Sequence, residues 1–291
     1  MSATPGGTVT PAEGLTLTRV GYGAMQLAGP NVSGPPRDRA EALAVLRAAV
    51  EAGVTHLDTA DFYGPAVVNE LIKEALHPYP AGLHIVTKVG ARRGPGGSWL
   101  VSRDPGDLKK QVHENLEHLG LDVLDVVNLR LGAHDTPNDD PVAEQFGALA
   151  ELRGEGLIRH LGLSCASARQ LTEAQGIAPV VTVQNLYNLA NRQDEALLRR
   201  CEADGVVFVP YFPLGGFDPL QSRTLDEVAA ALGASAQQVA LAWLLHRSPA
   251  IAVIPGTSSV SHLRENLAAA ELELPPETMA RLDGIGSAPG G

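Results

Sequence analysis

The sequence predicts an α/β protein built as a single (β/α)8 barrel of the TIM type, with an N-terminal β-hairpin and extra helices near its C-terminus. Three observations point there. Short apolar runs alternate with helix-period segments along nearly the whole chain, the pattern of parallel strands covered by helices. No shift in composition divides the repeats into separate units. Polar residues recur at the C-terminal ends of the apolar runs, the face on which barrels of this kind assemble their sites.

Taken in order, strands are expected at 19–22, 56–58, 84–88, 123–129, 160–164, 181–185, 206–211 and 250–254. Amphipathic helices are expected between them, at 39–52, 67–76, 107–119, 142–155, 168–174, 194–204 and 261–269. Thr224-Leu-Asp-Glu227 and Ser235-Ala-Gln-Gln238 each have the spacing of a capping box, which marks helix starts. Three segments fall outside the eightfold count: 15–17 as part of a hairpin closing the barrel's bottom, 235–246 as an extra helix, and 276–284 as a short terminal one. Residues 1–14 and 287–291 are rich in small and turn-forming residues and read as tails, leaving 15–286 as the barrel. Asp58, Lys88, Arg130, Ser164, Gln184 and Tyr211 all sit at or just past strand ends, so the fold would bring them to one rim. No Gly-x-Gly-x-x-Gly opens a helix after the first strand, so any dinucleotide is expected to bind outside the Rossmann scheme.

A net charge of −11 argues against nucleic acid and against an anionic membrane surface, both of which select clustered Lys and Arg. An anionic ligand would have to be held locally, by helix ends and a few cations. The two cysteines, Cys165 and Cys201, have neither metal nor redox spacing, and no convincing set of metal ligands falls at the strand ends. With no signal-like start and no apolar run of membrane length, the expectation is a cytoplasmic protein, monomeric or a small homo-oligomer.

The chemistry concentrates in Gly53-Val-Thr-His-Leu-Asp58-Thr-Ala-Asp-Phe-Tyr63-Gly-Pro and Thr87-Lys88. A carboxylate, a phenol and an amine at adjacent strand ends can make a general acid. A free phenol titrates near ~10, and a neighbouring ammonium is expected to lower that value. Read otherwise, Asp58 and Lys88 are a buried ion pair holding two strands together. Arg130 ends another run, Leu124-Asp-Val-Val-Asn-Leu-Arg130; its guanidinium stays charged and offers several donors, or it turns to a rim acid such as Asp135. Ile254-Pro-Gly256-Thr-Ser258-Ser-Val-Ser-His262 is a Gly- and hydroxyl-rich loop entering a helix, a geometry suited to phosphate.

These motifs, with Gly162-Leu-Ser164, Val183-Gln184-Asn185 and Pro210-Tyr211-Phe-Pro-Leu-Gly, occur together and in order as they do in the aldo-keto reductases, which this chain resembles from about Leu15 to about Gly284. The resemblance implies an oxidoreductase that uses NADPH to reduce a small aldehyde or ketone, with Tyr63 as proton donor and Asp58 and Lys88 tuning it. Arg130 stands where that family has its catalytic histidine, and His134, four residues on, is a substitute candidate. The implied cofactor contacts are Ser164, Cys165 (where the family often has Asn) and Gln184 at the carboxamide, with Asn185 as a further candidate. Tyr211, Pro213 and Leu214 would lie at the nicotinamide. Gly256, Thr257, Ser258 and His262 would lie at the phosphates, and Glu265 and Asn266 near the adenine. Met25, Phe62, Trp99 and Phe212 would line the substrate pocket, and Gly94-Pro-Gly-Gly97 reads as a flexible rim segment carrying Trp99, or else as a phosphate loop. Gly21-Tyr-Gly-Ala-Met-Gln and Val89-Gly-Ala-Arg-Arg-Gly are similar to a bacterial branch that includes pyridoxal reductases, which makes pyridoxal the leading substrate. The alternative is an NADPH-binding redox sensor with little turnover.

Overall fold

The computed structural model describes residues 4–132, 137–213, 215 and 222–286. The chain opens with an antiparallel pair, β1 (Thr8–Ala12) and β2 (Leu15–Thr18), in which Val9 faces Leu17 and Ala12 faces Leu15. The tail expected over residues 1–14 therefore gives way to a strand at Thr8. It forms because Val9 and Ala12 pack against the cluster that Leu15 and Leu17 make with Val86, Val126 and Val181. This hairpin is the barrel's floor.

The barrel strands follow as β3 (Tyr22–Gly23), β4 (His56–Asp58) and β5 (His84–Val89). After a rim hairpin, β6 (Ala91–Arg93) and β7 (Trp99–Val101), come β8 (Leu124–Arg130), β9 (Ile158–Ser164), β10 (Val180–Gln184) and β11 (Val207–Phe208). Seven of them form one parallel sheet in the order β11-β10-β9-β8-β5-β4-β3. Residues 251–256 close it, pairing Ile251 with Phe208 on one side and Val253 and Gly256 with Val20 and Gly23 on the other. Closure is tight: a Cβ on Gly23 would stand 2.5 Å from the Ile254 carbonyl oxygen, so no side chain fits there.

Around the sheet lie α1 (Arg39–Glu51), α2 (Val67–Leu76), α3 (Pro105–Leu119), α4 (Ala143–Gly154), α5 (Ala168–Gln175) and α6 (Glu195–Asp204). Then come α7 (Arg223–Leu232), α8 (Ala236–Arg247), α9 (Val260–Ala268) and α10 (Pro276–Asp283). Their starts are chemically set. Asp104 accepts from the amides of Gly106 and Asp107, with Pro105 at the first helical position, where its missing N–H costs nothing. The Ser235–Gln238 capping box forms as expected, and Ser167–Gln170 makes a second. Thr224 does not cap α7; the cap lies two residues earlier, at Ser222, whose hydroxyl accepts from the Leu225 amide.

Strand alternation sends Leu57, Ile85, Val127, Leu129 and Leu161 outward into the main apolar cluster shared with the helices. The lumen is packed as densely. A Cβ on Gly162 would lie 2.0 Å from both Asn128 Oδ1 and Thr182 Oγ1, so the 2.7 Å Thr182–Asn128 hydrogen bond across the barrel depends on a glycine between them. Among the described residues no single helix is long and apolar enough to cross a membrane.

Candidate active site

Asp58 closes β4 and Lys88 lies one residue from the end of β5, so parallel pairing of those strands sets them side by side above the lumen. Lys88 Nζ sits 2.6 Å from Asp58 Oδ1 and also donates to the Thr59 carbonyl at 2.9 Å. Gln184, at the end of β10, donates through Nε2 to Asp58 Oδ2 at 3.0 Å. Both carboxylate oxygens are thus engaged, and the pair is 5% and 4% exposed at its side chains. The loop after β4 turns back through Tyr63 N–H to the Ala60 carbonyl and Ala66 N–H to the Asp61 carbonyl. That turn carries the Tyr63 ring to 5.2 Å from the Lys88 ammonium.

Burial dominates the electrostatics. It pushes the Tyr63 phenol above its usual range; Lys88 pulls the other way, Asp58 pushes with it, and Arg130 pulls against it. The net direction is opposite to the lowering expected from the sequence, because the desolvation of a fully enclosed phenolate outweighs the nearby cations. Burial also raises Asp58, with Lys88 and Gln184 opposing it. For Lys88 burial alone favours the neutral amine, but Asp58 and Tyr63 together hold it above its ordinary value. The result is a protonated phenol facing a fixed ammonium.

These groups stand at the base of a cavity of about 390 Å³. Arg130, Ser164, Gln184, Tyr211, Pro213 and Gly256 line it, as do Met25, Phe62, Trp99 and Phe212, so one space gathers residues from every part of the chain. Gln26, Leu100 and Val101 also line it, which the sequence alone did not single out. Trp99 stands on β7, edge-on to Phe62 at 5.4 Å and under the Arg93 guanidinium at 4.1 Å. The Gly94–Gly97 segment is the turn of the β6–β7 hairpin and not a loose rim.

On the opposite wall Tyr211 meets Phe212 edge-on at 5.3 Å, and its hydroxyl lies 3.8 Å from Cys165 Sγ. Cys165 is buried behind Tyr211 and does not line the cavity. Among the described residues, no partner reaches the buried Ser164 Oγ or Gln184 Oε1. A hydroxyl donor and an amide acceptor left open side by side at strand ends complement a carboxamide, which offers one acceptor and two donors. Asn185 is not open in this way. It clamps the loop after β9, accepting from Ala166 N–H at 2.9 Å and donating to the Ala166 carbonyl and to Asp194 Oδ2, both at 2.8 Å.

Beyond Gly256, Thr257 is buried, with its carbonyl accepting from Tyr22 Oη at 2.6 Å. Ser258, just before α9, and His262 and Glu265 within it are exposed and Asn266 is buried, all outside the cavity proper. Two amides of this helix entry are already engaged: Ser259 N–H donates to Thr257 Oγ1 at 3.1 Å and Val260 N–H to Glu41 Oε1 at 3.0 Å. Glu41 comes from α1 and has no signal in the local sequence. Leu214, His134 and Asp135 lie outside the described residues.

A closed parallel barrel with a buried Asp–Lys pair under a tyrosine, and an aromatic-walled cavity above them, defines an oxidoreductase class. The family model described as the aldo/keto reductase family matches residues 19–287, and the chain belongs to that family. It is 57% identical over 272 residues to pyridoxine 4-dehydrogenase of Escherichia coli (strain K12), an alignment spanning 93% of this chain and 95% of that protein. Among solved structures, a thermostable aldo-keto reductase in complex with the inhibitor epalrestat shares 32% identity at a TM-score of 0.80, over 95% of this chain and 98% of that one. An aldo-keto reductase from Klebsiella pneumoniae in complex with NADP and acetate shares 26% identity at a TM-score of 0.78, over 97% and 96%.

Proposed function

We propose that this oxidoreductase reduces a small aldehyde or ketone to the alcohol with NADPH, that its leading substrate is pyridoxal, converted to pyridoxine, and that it works in the cytosol as a monomer or small homo-oligomer. The observation that carries the reading is the Asp58–Lys88 pair beneath Tyr63 at the base of the same cavity that Ser164 and Gln184 line. Bound NADPH would supply the hydride for the carbonyl carbon, giving NADP⁺. Ser164 and Gln184 would hold its carboxamide, Tyr211 would lie against the ring, and the loop from Gly256 through Ser258 with His262 would take the phosphates. Tyr63, protonated at neutral pH like any phenol and the more so for being buried, gives its proton to the carbonyl oxygen. Lys88 then stabilises the phenolate that remains, and Asp58 keeps Lys88 aimed. Arg130, on the cavity wall, adds a permanent charge and hydrogen-bond donors for the same oxygen. The aromatic walls suit a flat ring, and the 57% identity to a pyridoxine 4-dehydrogenase supports the pyridoxal assignment.

The test is NADPH absorbance decay with a panel of aldehydes that includes pyridoxal. Tyr63→Phe should cost about 10²–10⁴-fold in kcat, the range for removing a general acid, while NADPH still binds. Arg130→Ala should lose less. The raised phenol value sets the sign of the pH response. Reduction needs the protonated form and should stay flat through neutral pH, whereas alcohol oxidation needs phenolate and should climb as pH rises. Tight NADPH binding with no turnover on any carbonyl, in wild type as in Tyr63→Phe, would overturn the reading and favour a sensor.

A further inference from the structure

Behind the strand ends that carry Asp58 and Lys88, on the side facing the helices, the barrel is polar where apolar packing is the rule. Thr59 and Thr87, each next to one member of the pair, are fully buried there, as are Asn69 of α2 and Asn115 of α3. Thr59 Oγ1 donates to Asn69 Oδ1 at 2.8 Å, and Thr87 Oγ1 donates to Asn115 Oδ1 at 2.6 Å. Asn69 Nδ2 joins the halves, donating to Asn115 Oδ1 and to Asp61 Oδ1, both at 3.1 Å. Asn115 Nδ2 completes its set on the Gln111 carbonyl at 2.9 Å. Every polar atom of the two asparagine side chains therefore has a partner, and apart from the Gln111 carbonyl of α3 and the bond joining the two asparagines, these partners lie in the active-site loop or on the strand beside it.

Resting on the reading of Tyr63 as proton donor, we propose that Asn69 and Asn115 are positioning residues that hold Lys88 against Tyr63 from behind. Lys88 Nζ is aimed by two acceptors, Asp58 Oδ1 and the Thr59 carbonyl. The second of these belongs to the residue that Asn69 grips, and Lys88 follows directly on the residue that Asn115 grips. The same network reaches Asp61, two residues before Tyr63, where His118 Nδ1 also lies 2.7 Å from Asp61 Oδ1. Leucines would fill the same volume without partners to satisfy. A fully paired buried network fixes one geometry instead, at the cost that any missing member leaves orphaned groups.

The test compares Asn115→Leu, which removes the acceptor shared by Thr87 and Asn69, with Asn115→Asp, which keeps it. Each is assayed in both directions across pH. The charged groups facing Tyr63 are Lys88, Asp58 and Arg130, with Asp61, His118 and Glu114 beyond the network. In Asn115→Leu, kcat should fall about ten-fold with KM for NADPH unchanged, because the reacting groups and not the cofactor are displaced. The rising limb of alcohol oxidation should move to higher pH by about half a unit, since a loosened ammonium stabilises phenolate less. Asn115→Asp should stay within about three-fold of wild type. A purely structural network would lower melting temperature and leave the limb in place, and an unmoved limb with kcat within about two-fold overturns the inference. If Asn115→Leu does not fold, Thr87→Val removes one of the same bonds and is judged by the same limb; failure of both to fold also overturns it, by assigning the network to the fold. Activity surviving in Tyr63→Phe would remove the underlying reading as well. A dead Tyr63→Phe beside an unaltered Asn115→Leu would sink this inference alone.

Discussion

Followed upward from the floor, the same strands change chemistry within two residues. At the bottom, Val86 of β5 and Val126 of β8 pack on Leu15 and Leu17 in one apolar cluster. Two positions further along β5 stands Lys88, and along β8 stand Asn128 and then Arg130. The side chains at both ends are buried, but for different reasons. The floor gains from removing apolar surface from water, roughly 25 cal/mol per Å². The rim gives up hydration of an ammonium, a carboxylate and a phenol, and leaves Ser164 Oγ and Gln184 Oε1 with no partner among the described residues. Both of these open groups line the cavity, which makes them candidates for contact with a ligand.

The sharpest way to separate the two ends is to break a pair at the rim. Lys88→Met leaves Asp58 buried with Gln184 as its one side-chain donor among the described residues, and removing one member of a buried ion pair typically costs about 3–5 kcal/mol. Denaturant unfolding should show that loss, and reductase activity should vanish with it. Adding Asp58→Asn should restore most of the stability without restoring turnover. Recovery of both in the double variant would mean that the pair serves the fold only.

Leu17→Ala probes the floor. Leu17 is fully buried, so the truncation should cost about 2–5 kcal/mol in unfolding free energy while kcat and KM stay at wild-type values. A loss of activity at a temperature where the variant remains folded would show that the floor and the rim are coupled, and would erase the contrast between them.

How much of this was legible in the chain follows from the range of each interaction. The barrel was, because alternation of apolar runs and amphipathic helices is a local pattern. The rim was too, because Asp58, Tyr63 and Lys88 lie within two consecutive units. The strand at Thr8–Ala12 was not, since Thr8-Val-Thr-Pro-Ala has no apolar run and is ordered by pairing with Leu15–Thr18. The β6–β7 hairpin was hidden by its Gly-Pro-Gly-Gly turn and strands of only three residues. Asn185 read as a further candidate for the carboxamide because Val183-Gln184-Asn185 resembles the family's strand end there. In a strand, successive side chains take opposite directions, and Asn185 goes to Ala166 and Asp194 instead. Gln184 bonding Asp58 and Glu41 bonding Val260 join residues 126 and 219 positions apart, for which no local signal exists.

Glu41 offers the smallest and most discriminating change. Its carboxylate caps the first amide of α9, beside the loop assigned here to the phosphates of NADPH. A negative charge there satisfies the helix end but opposes a phosphate approaching Ser258 and His262. Glu41→Gln keeps an acceptor for Val260 N–H and removes only the charge, so the helix should remain capped. NADPH affinity should tighten by about two- to five-fold, the size of a charge effect at a helix terminus. The gain should shrink in high salt, because the groups are partly exposed. NADH, which lacks the 2′-phosphate, should gain less than NADPH. Equal gains for both would place the charge effect at the shared pyrophosphate, whereas weaker NADPH binding would move the 2′-phosphate away from this end of α9.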